Sequence, residues 1–385
     1  MALDRLRLAI ADSDETYADS LIGFVSARYP GRFSASSFSI KEFLENFFNG
    51  GEKEVDILLM DKKICEALAP DARTAVSRAA KTVILLYGGT CAGDDAGYPA
   101  VNKYQRGDKL ISDIIGIFAE KTGDGAAEAV LGRRKTRVVA VFSPAGGSGK
   151  TCVAVSSCIR CAQSGMSVFY LNFEDMQSTP LFFEGGSRYN LSNFLYFLKD
   201  KDENLALRIE SMRCIEPDYG IHFFSPPECS WEKDEMSPEE LNRMIKQFRR
   251  LGTYDVVFID MSSSFNRCSM ALLQGSDEIF IVLSPEEICR LKMKKFFNEL
   301  DILSPDDRFK IGGRIVPVMN KCGGGENIDF GDIEESGLDI RARLPLCEGI
   351  KNLRGYDLLK ALDDNFREGI NSLVCKYIRE MHERE

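Results

Sequence analysis

The chain has 385 residues, enough for two or three domains that each bury a core without disulfide bonds. Lysine and arginine number 49 and aspartate and glutamate 59, so the formal charge of −10 disfavours nucleic-acid binding over the whole surface. Twelve cysteines without regular spacing indicate free thiols, and a total of two histidines argues against a zinc site. The early charges after Met1 and the lack of a long apolar run exclude a signal peptide and a spanning helix, which predicts a cytoplasmic protein.

Strands and helices alternate from residue 6 to residue 118. Helical patterns follow the first two strands, the second over Lys41–Phe48, and a closing helix is predicted over Asp108–Phe118. Such alternation predicts a compact parallel sheet with both faces covered. The predicted strands cover residues 6–11, 33–38, 55–60, 83–87 and 100–103.

Charged side chains stand where three of these strands end. Asp12 and Asp14 follow the first strand, Asp61 closes the third and Lys103 closes the fifth. Carboxylates so placed can hold Mg²⁺, one of them can take a phosphoryl group, and a lysine can neutralise the product. In this order of elements and residues the segment resembles the receiver domain of response regulators, which implies a doubly wound, flavodoxin-like fold.

Three departures from the receiver pattern bear on that chemistry. The first strand is followed by Asp12, Ser13 and Asp14 where receivers have paired acids. The fourth strand runs into Gly88 and Gly89 instead of a switch hydroxyl, and Tyr104 follows Lys103 where receivers have proline. Two readings stay open: an interaction module that is not phosphorylated, which the departures favour, and a working phosphoacceptor.

Residues 119–136 are polar, contain glycine and show no sustained periodicity, so they are predicted to be a linker. The domain boundaries are therefore predicted as 1–118, 119–136 and 137–385.

The stretch 143–151 resembles a phosphate-binding loop between an apolar strand and a helix. Its glycines let successive backbone N–H groups face one anion, Lys150 can reach the terminal phosphates, and Thr151 can ligate Mg²⁺. Pro144 replaces the first glycine of the common pattern, so this is a variant loop. The candidate nucleotide-binding residues here are Gly146, Gly147, Ser148, Gly149, Lys150, Thr151 and Cys152.

The remainder of the chain alternates again and predicts a second doubly wound α/β domain. Pro317 predicts that the last strand is an edge strand or is bulged there, because proline cannot donate to a central ladder. The apolar stripe of the final helix, 357–381, predicts a packed helix, with membrane contact as the alternative. Strands are predicted at 167–173, 221–224, 255–260, 278–283 and 314–319, and helices at 191–198, 238–251 and 291–303.

Residues 254–260 form an apolar strand that ends in Asp260, the pattern of a strand whose aspartate orients Mg²⁺. With the phosphate loop and the run from Leu171 to Asp175, this domain resembles the MinD/ParA group of P-loop NTPases (SIMIBI class). The resemblance implies binding of ATP and Mg²⁺ by a homodimer. It implies adenine contacts by Asn320 and Pro345, metal contacts by Thr151 and Asp260, and catalytic roles for Lys150, Glu174 and Asp260.

Two departures from the MinD/ParA pattern concern catalysis. Ala145 stands where that family has a lysine that reaches the partner's phosphates, and Asn172 and Glu174 replace two aspartates. Losing a cation at the transition state costs several powers of ten in phosphoryl transfer, so slow or absent hydrolysis is expected.

A MinD/ParA-like domain behind a receiver-like domain resembles the TadZ/CpaE family of Flp/Tad pilus assembly proteins. That resemblance implies a cytoplasmic homodimer that marks a site, often the cell pole near the inner membrane, where pilus secretion proteins assemble. It implies no strong nucleic-acid binding and at most peripheral membrane association.

Two other functions were weighed. One is an active spatial-positioning ATPase of the partition or septum type, cycling on DNA or membrane, which Ala145 and the acidic charge disfavour. The other is an iron-sulfur reductase of the nitrogenase iron-protein type, suggested by Cys268 and disfavoured because a lone cysteine usually serves packing. Cys158 and Cys161 are predicted to be core thiols.

Overall fold

The computed structural model describes residues 5–29, 33–39, 55–89, 97–122, 135–200, 205–302, 311–323, 339–347 and 363–383. Their contacts form two compact units. The first comprises Met1–Gly132 with Asp202–Met212, and the second comprises Arg133–Lys201 with Arg213–Glu385. The helix predicted over Lys41–Phe48 and most of the predicted linker lie outside the described residues.

The first unit is built on a five-stranded parallel sheet, as predicted. The strand order is β2-β1-β3-β4-β5, the doubly wound order of flavodoxin-like folds. Because the strands are parallel, the carboxyl ends of β1, β3 and β5 meet at one edge of the sheet. The strands are β1 (Leu6–Ala11), β2 (Phe33–Ser37), β3 (Val55–Asp61), β4 (Ala80–Tyr87) and β5 (Ala100–Asn102).

Helices cover both faces of this sheet. Glu15–Arg28 and Gly107–Thr122 pack on one face, and Lys62–Ala67 and Pro70–Ala79 pack on the other. Strand residues alternate between the two cores, as the period of two in a β-strand requires.

One helix of the first unit comes from later in the chain. Leu205–Met212 packs against Gly107–Thr122, and a Cβ at Gly116 would lie 3.1 Å from Cβ of Ser211. The sequence predicts residues 202–212 as part of the second domain, but their contacts group them with the first unit. Local periodicity carries no information about such a long-range contact.

The second unit is built on an eight-stranded sheet in the order β13-β12-β11-β6-β10-β7-β9-β8. All neighbours are parallel except β8 and β9, which are antiparallel. The predicted α/β domain with a parallel sheet is therefore confirmed. The strands are β6 (Arg137–Phe142), β7 (Val168–Phe173), β8 (Cys214–Ile215), β9 (His222–Phe223), β10 (Val256–Met261), β11 (Glu278–Leu283), β12 (Ile315–Cys322) and β13 (Ala342–Pro345).

The helices of the second unit bury apolar faces against this sheet. Lys150–Gln163 and the final helix Asp364–His382 share one core, which contains Cys158 and Cys161, so both thiols are core residues. Burial raises the pKa of both thiols. The other helices are Thr179–Phe182, Leu191–Lys199, Pro238–Leu251, Arg267–Gly275 and Glu287–Ile302, with a 3₁₀ turn at Ser230–Lys233.

The final helix is packed, as predicted. Phe366, Ile370, Leu373, Val374 and Tyr377 are buried, and the helix begins at the Asp363 side chain, which accepts from the backbone N–H of Phe366. Within the part of the chain that the structure describes, no helix has the length and apolarity to cross a membrane.

The prediction for Pro317 is wrong. Strand β12 lies between β11 and β13, and its register irregularity falls between Met319 and Cys322. In a parallel strand the N–H and C=O of one residue face the same neighbour. The carbonyl oxygen of Pro317 accepts a hydrogen bond from the backbone N–H of Arg341, which lies just before β13. The side of Pro317 that lacks an N–H therefore faces the start of β13.

Candidate nucleotide-binding site

The phosphate loop connects β6 to the helix Lys150–Gln163 at the carboxyl edge of the sheet. Gly147 and Gly149 have backbone φ angles of 73° and 92°, values that residues with a side chain rarely adopt. A Cβ at Gly149 would lie 2.1 Å from Nδ2 of Asn320, so this glycine is also required by close packing. Gly146 and Gly147 are exposed, as a surface that receives an anion requires.

Lys150 is buried beneath this loop. Its Nζ donates to Ser263 Oγ at 2.7 Å, and Ser263 Oγ donates to the carbonyl oxygen of Ala145 at 3.0 Å. Burial lowers the pKa of Lys150, and the nearby carboxylates of Asp260 and Glu174 act against that shift. The ammonium therefore has only neutral hydrogen-bond partners among the described residues, and an anionic phosphate would be a stronger one.

The carboxylate of Asp260 is fully buried, and its two oxygens have different surroundings. Its Oδ2 accepts a hydrogen bond from the Tyr170 hydroxyl at 2.8 Å, while Oδ1 is buried and has no partner among the described residues. Burial, with repulsion from Glu174, raises the pKa of Asp260 to about 7. A buried carboxylate oxygen without a donor is costly, and a metal ion or its bound water would satisfy it.

Thr151 and Glu174 lie beside this carboxylate. Thr151 Oγ1 donates to Glu174 Oε1 at 3.0 Å, and Asn172 holds Glu174 by accepting from its backbone N–H at 2.7 Å. The two predicted metal residues, Thr151 and Asp260, thus come together with the predicted catalytic residue Glu174. Hydroxyl and carboxylate oxygens are the ligands that Mg²⁺ prefers, so the residues present fit this ion.

Asn320 contacts the phosphate loop. Its Nδ2 donates to the carbonyl oxygen of Ser148 at 2.8 Å, and it is followed by Lys321, which has a φ of 61°. Pro345 pairs with Cys322 across the neighbouring strands, which brings the two predicted adenine contacts to the same edge of the sheet. Cys152 lies in the first turn of the helix, where burial raises its pKa to about 11.

The sequence did not reveal Ser263 or Tyr170 as residues of this site. Tyr170 lies in the middle of β7, where an aromatic residue among apolar ones indicates only a core position. The spacing along the strand could have indicated this position: Tyr170 and Asn172 are two residues apart, so their side chains lie on the same face of β7. Asn172 is opposite Asp260 in the pairing of β7 with β10.

The first unit has a second cluster at the carboxyl edge of its sheet. Lys103 Nζ contacts Asp12 at 3.0 Å and Asp61 at 3.1 Å, and all three side chains are buried. Burial alone would raise the pKa of Asp61, but the backbone N–H of Lys63 and the Lys103 ammonium outweigh it and hold the pKa below its ordinary value. Asp14 instead caps the helix Glu15–Arg28 with an exposed side chain.

Two tyrosines border this acidic cluster. The ammonium of Lys103 lies 5.2 Å from the Tyr17 ring centre and 5.5 Å from that of Tyr104. A Cβ at Gly88 would lie 2.6 Å from the Tyr104 ring, so the tyrosine occupies the space beside the end of β4. The sequence shows Tyr104 but does not reveal this contact.

Comparison with solved structures identifies the fold of the second unit. A ParA family ATPase from Chlorobium tepidum TLS aligns with a TM-score of 0.50 and 18% identity, covering 62% of this chain and 98% of that one. The septum site-determining protein MinD of Pyrococcus horikoshii OT3, complexed with Mg-ADP, aligns with a TM-score of 0.47 and 17% identity, covering 64% and 96%. No protein-family model matches the sequence, and the search of curated proteins gave no match. The second unit thus has the α/β P-loop fold of ParA-type ATPases.

Proposed function

We propose that the second unit binds ATP with Mg²⁺ at the phosphate loop. The observation that carries the proposal is the meeting of three groups at one sheet edge: the loop 143–149, the buried ammonium of Lys150, and the partnerless Oδ1 of Asp260 beside Thr151. Asp260 Oδ1 lacks a hydrogen-bond partner and Lys150 has only a neutral one among the described residues, and a metal-bound polyphosphate would provide stronger partners for both.

The residues have distinct roles in this proposal. The backbone of Gly146, Gly147 and Ser148 surrounds the phosphates, and Lys150 leaves Ser263 to pair with the terminal ones. Thr151 and Asp260 hold Mg²⁺, which neutralises phosphate charge. Asn320 and Pro345 border the base.

Hydrolysis is proposed to be slow or absent. Ala145 is 2% exposed and offers a methyl group where the resembling families place a lysine. Lys150 is therefore the cation that the loop itself supplies to the transition-state charge.

We further propose a homodimer that assembles around the nucleotide, because one open loop leaves phosphate charge uncovered and a second subunit would supply donors and exclude water. Without a lysine at position 145 the association should tolerate salt. Light scattering and nucleotide analysis of the purified chain, with and without ATP and Mg²⁺ over a salt series, test this. A monomer under every condition would refute the dimer, and steep dissociation by salt would refute its proposed basis.

The cellular role that we propose is that of a TadZ/CpaE-like localisation and assembly factor for a Flp/Tad-type pilus, acting in the cytoplasm at the cell pole. It rests on the order of a receiver-like unit and a ParA-type unit. Deleting the gene should abolish assembled pili, and the wild-type gene but not a Lys150→Ala gene should restore them. Normal pili in the deletion strain would remove this role.

The first unit is proposed to be a receiver-like docking module that works without phosphorylation. The ammonium of Lys103 already pairs with both Asp12 and Asp61, and Gly88 provides no switch hydroxyl. Incubating the whole chain with a small phosphodonor and Mg²⁺ and then weighing it tests this. Stoichiometric addition that Asp61→Asn abolishes would reverse the proposal.

A further inference from the structure

A buried hydrogen-bond relay ends on the carboxylate of Asp260. Tyr170 is fully buried in β7, and its hydroxyl lies 2.8 Å from Asp260 Oδ2. Asn172, two residues further along the same strand, places Nδ2 at 3.2 Å from the same hydroxyl oxygen. The relay therefore joins neighbouring strands at the edge of the sheet where the phosphate loop lies.

The contacts of Asn172 fix the orientation of its amide. Its Oδ1 lies 2.7 Å from the backbone nitrogen of Glu174, which can only donate, so this atom must be the oxygen. The opposite atom, Nδ2, faces the carboxylate oxygen Oε2 of Glu174 at 3.2 Å, which can only accept. The amide nitrogen therefore faces Tyr170.

This orientation decides where the tyrosine proton goes. An amide nitrogen has no acceptor capacity, so Tyr170 cannot donate its proton to Nδ2. Nδ2 has two N–H groups for three neighbouring oxygens, those of Tyr170, Glu174 and Thr179, the last at 3.1 Å. The single proton of Tyr170 is then available only to Asp260 Oδ2. An aspartate at position 172 would offer the proton a second acceptor, so the asparagine and the tyrosine are chemically matched.

We infer that Tyr170, oriented by Asn172, is a positioning residue of the metal site. The relay occupies Oδ2 of Asp260 and leaves Oδ1, which accepts no hydrogen bond from the described residues, as the oxygen available to Mg²⁺. Partners that orient metal-binding side chains typically alter metal affinity by about tenfold or more when removed. This inference rests on the proposed binding of ATP and Mg²⁺.

The test separates metal-dependent from metal-free binding. ATP affinity of the whole chain is measured by calorimetry in EDTA and in Mg²⁺ for the wild type and for Tyr170→Phe. We expect the affinity in EDTA to change by less than about twofold, and the gain in affinity from Mg²⁺ to fall by about tenfold. An unchanged Mg²⁺ gain would overturn the inference. Absence of any ATP binding by the wild type would instead refute the proposed function.

Tyr254→Phe is the matched control. Tyr254 is also fully buried, and its hydroxyl contacts His222 Nδ1 at 3.0 Å. It lies just before the start of β10, whereas Asp260 lies near the end of that strand. Both variants lose a buried tyrosine hydroxyl, so both should lose some thermal stability. Only Tyr170→Phe should change the Mg²⁺ gain, and an equal effect of both would mean general loosening of the unit.

The orienting role of Asn172 has its own test. In an Asn172→Asp background, Tyr170 is expected to donate to Asp260 only part of the time. The effect of Tyr170→Phe on the Mg²⁺ gain should therefore be smaller in that background than in the wild type. An equal effect in both backgrounds would remove Asn172 from the relay.

Discussion

The Nζ atom of Lys150 donates to the hydroxyl of Ser263 at 2.7 Å, so the cation of the phosphate loop is tied to the segment that follows β10. The hydroxyl of Ser263 in turn donates a hydrogen bond to the carbonyl oxygen of Ala145. In the proposed complex the lysine turns from this serine toward the bound phosphate. The same hydrogen bond thus stabilises the loop without ligand and competes with ligand binding.

Ser263→Ala should therefore strengthen ATP binding. Removing the competing hydrogen bond to a charged group raises the free energy of the unliganded site, and we expect affinity to increase by roughly threefold to tenfold. Calorimetry measures the affinity, with Ser264→Ala, the neighbouring exposed serine, as the control. Weaker binding in Ser263→Ala would show that the serine contacts the nucleotide itself.

Lys103→Met should destabilise the first unit. It leaves the carboxylates of Asp12 and Asp61 buried without their cation, a change that costs about 3–5 kcal/mol when a buried pair is broken. Thermal unfolding of the whole chain measures the loss. Lys81→Met is the control, because Lys81 pairs with Asp56 but is half exposed.

The pH dependence should reverse in the same variant. In the wild type the pKa of Asp61 is below its ordinary value, so its contribution to stability is present above that value and is lost as pH falls through the lowered pKa. In Lys103→Met the buried carboxylate of Asp61 loses its cation, and burial then favours its protonated form, so mild acidification should raise stability. If the stability of the wild type and of Lys103→Met fell in parallel with decreasing pH, the ammonium would not determine the pH dependence of this unit.

Asn320→Ala should weaken ATP binding and reduce the preference for ATP over GTP. Its amide contacts the carbonyl of Ser148 and lies beside Gly149, so part of the loss comes from the loop. Paired titrations with ATP and GTP separate the two effects. Equal loss for both nucleotides would show that Asn320 supports the loop and that the base is recognised elsewhere.

Turnover of the wild-type chain should be far below about 1 per second. The reason is the absence of a lysine at position 145. We expect the substitution Ala145→Lys to disturb the loop, because the methyl group of Ala145 is buried. Phosphate release is measured against Lys150→Ala, which reports contaminating ATPase. A rate near 1 per second that Lys150→Ala abolishes would refute our interpretation of Ala145.

The sequence predicted the elements around the site well. The helix Pro238–Leu251 and the strand Glu278–Leu283 have the predicted bounds, since strong amphipathic and apolar patterns with clear caps determine them. The two-residue strand β8 and the edge strand β13 were not predicted, because they depend on their pairing partners, and the grouping of Leu205–Met212 with the first unit depends on a distant helix.

The site was predictable only in part, for a related reason. The loop and Asp260 follow patterns along the chain, whereas the contact of Tyr170 with Asp260 joins residues 90 positions apart on neighbouring strands. A tyrosine in a buried strand is ordinarily a core residue, and only the three-dimensional pairing shows its hydroxyl at a carboxylate.

Calorimetric titration of ATP with Mg²⁺ into the whole chain tests the central claim most directly, with Lys150→Ala as the test variant and Lys295→Ala, an exposed helix lysine paired with Glu299, as the control. We predict saturable binding by the wild type and by Lys295→Ala, and loss of tight binding in Lys150→Ala, since Lys150 is the described cation at the loop. Undiminished affinity in Lys150→Ala, or no binding by the wild type, would contradict the assignment of this loop as the nucleotide site.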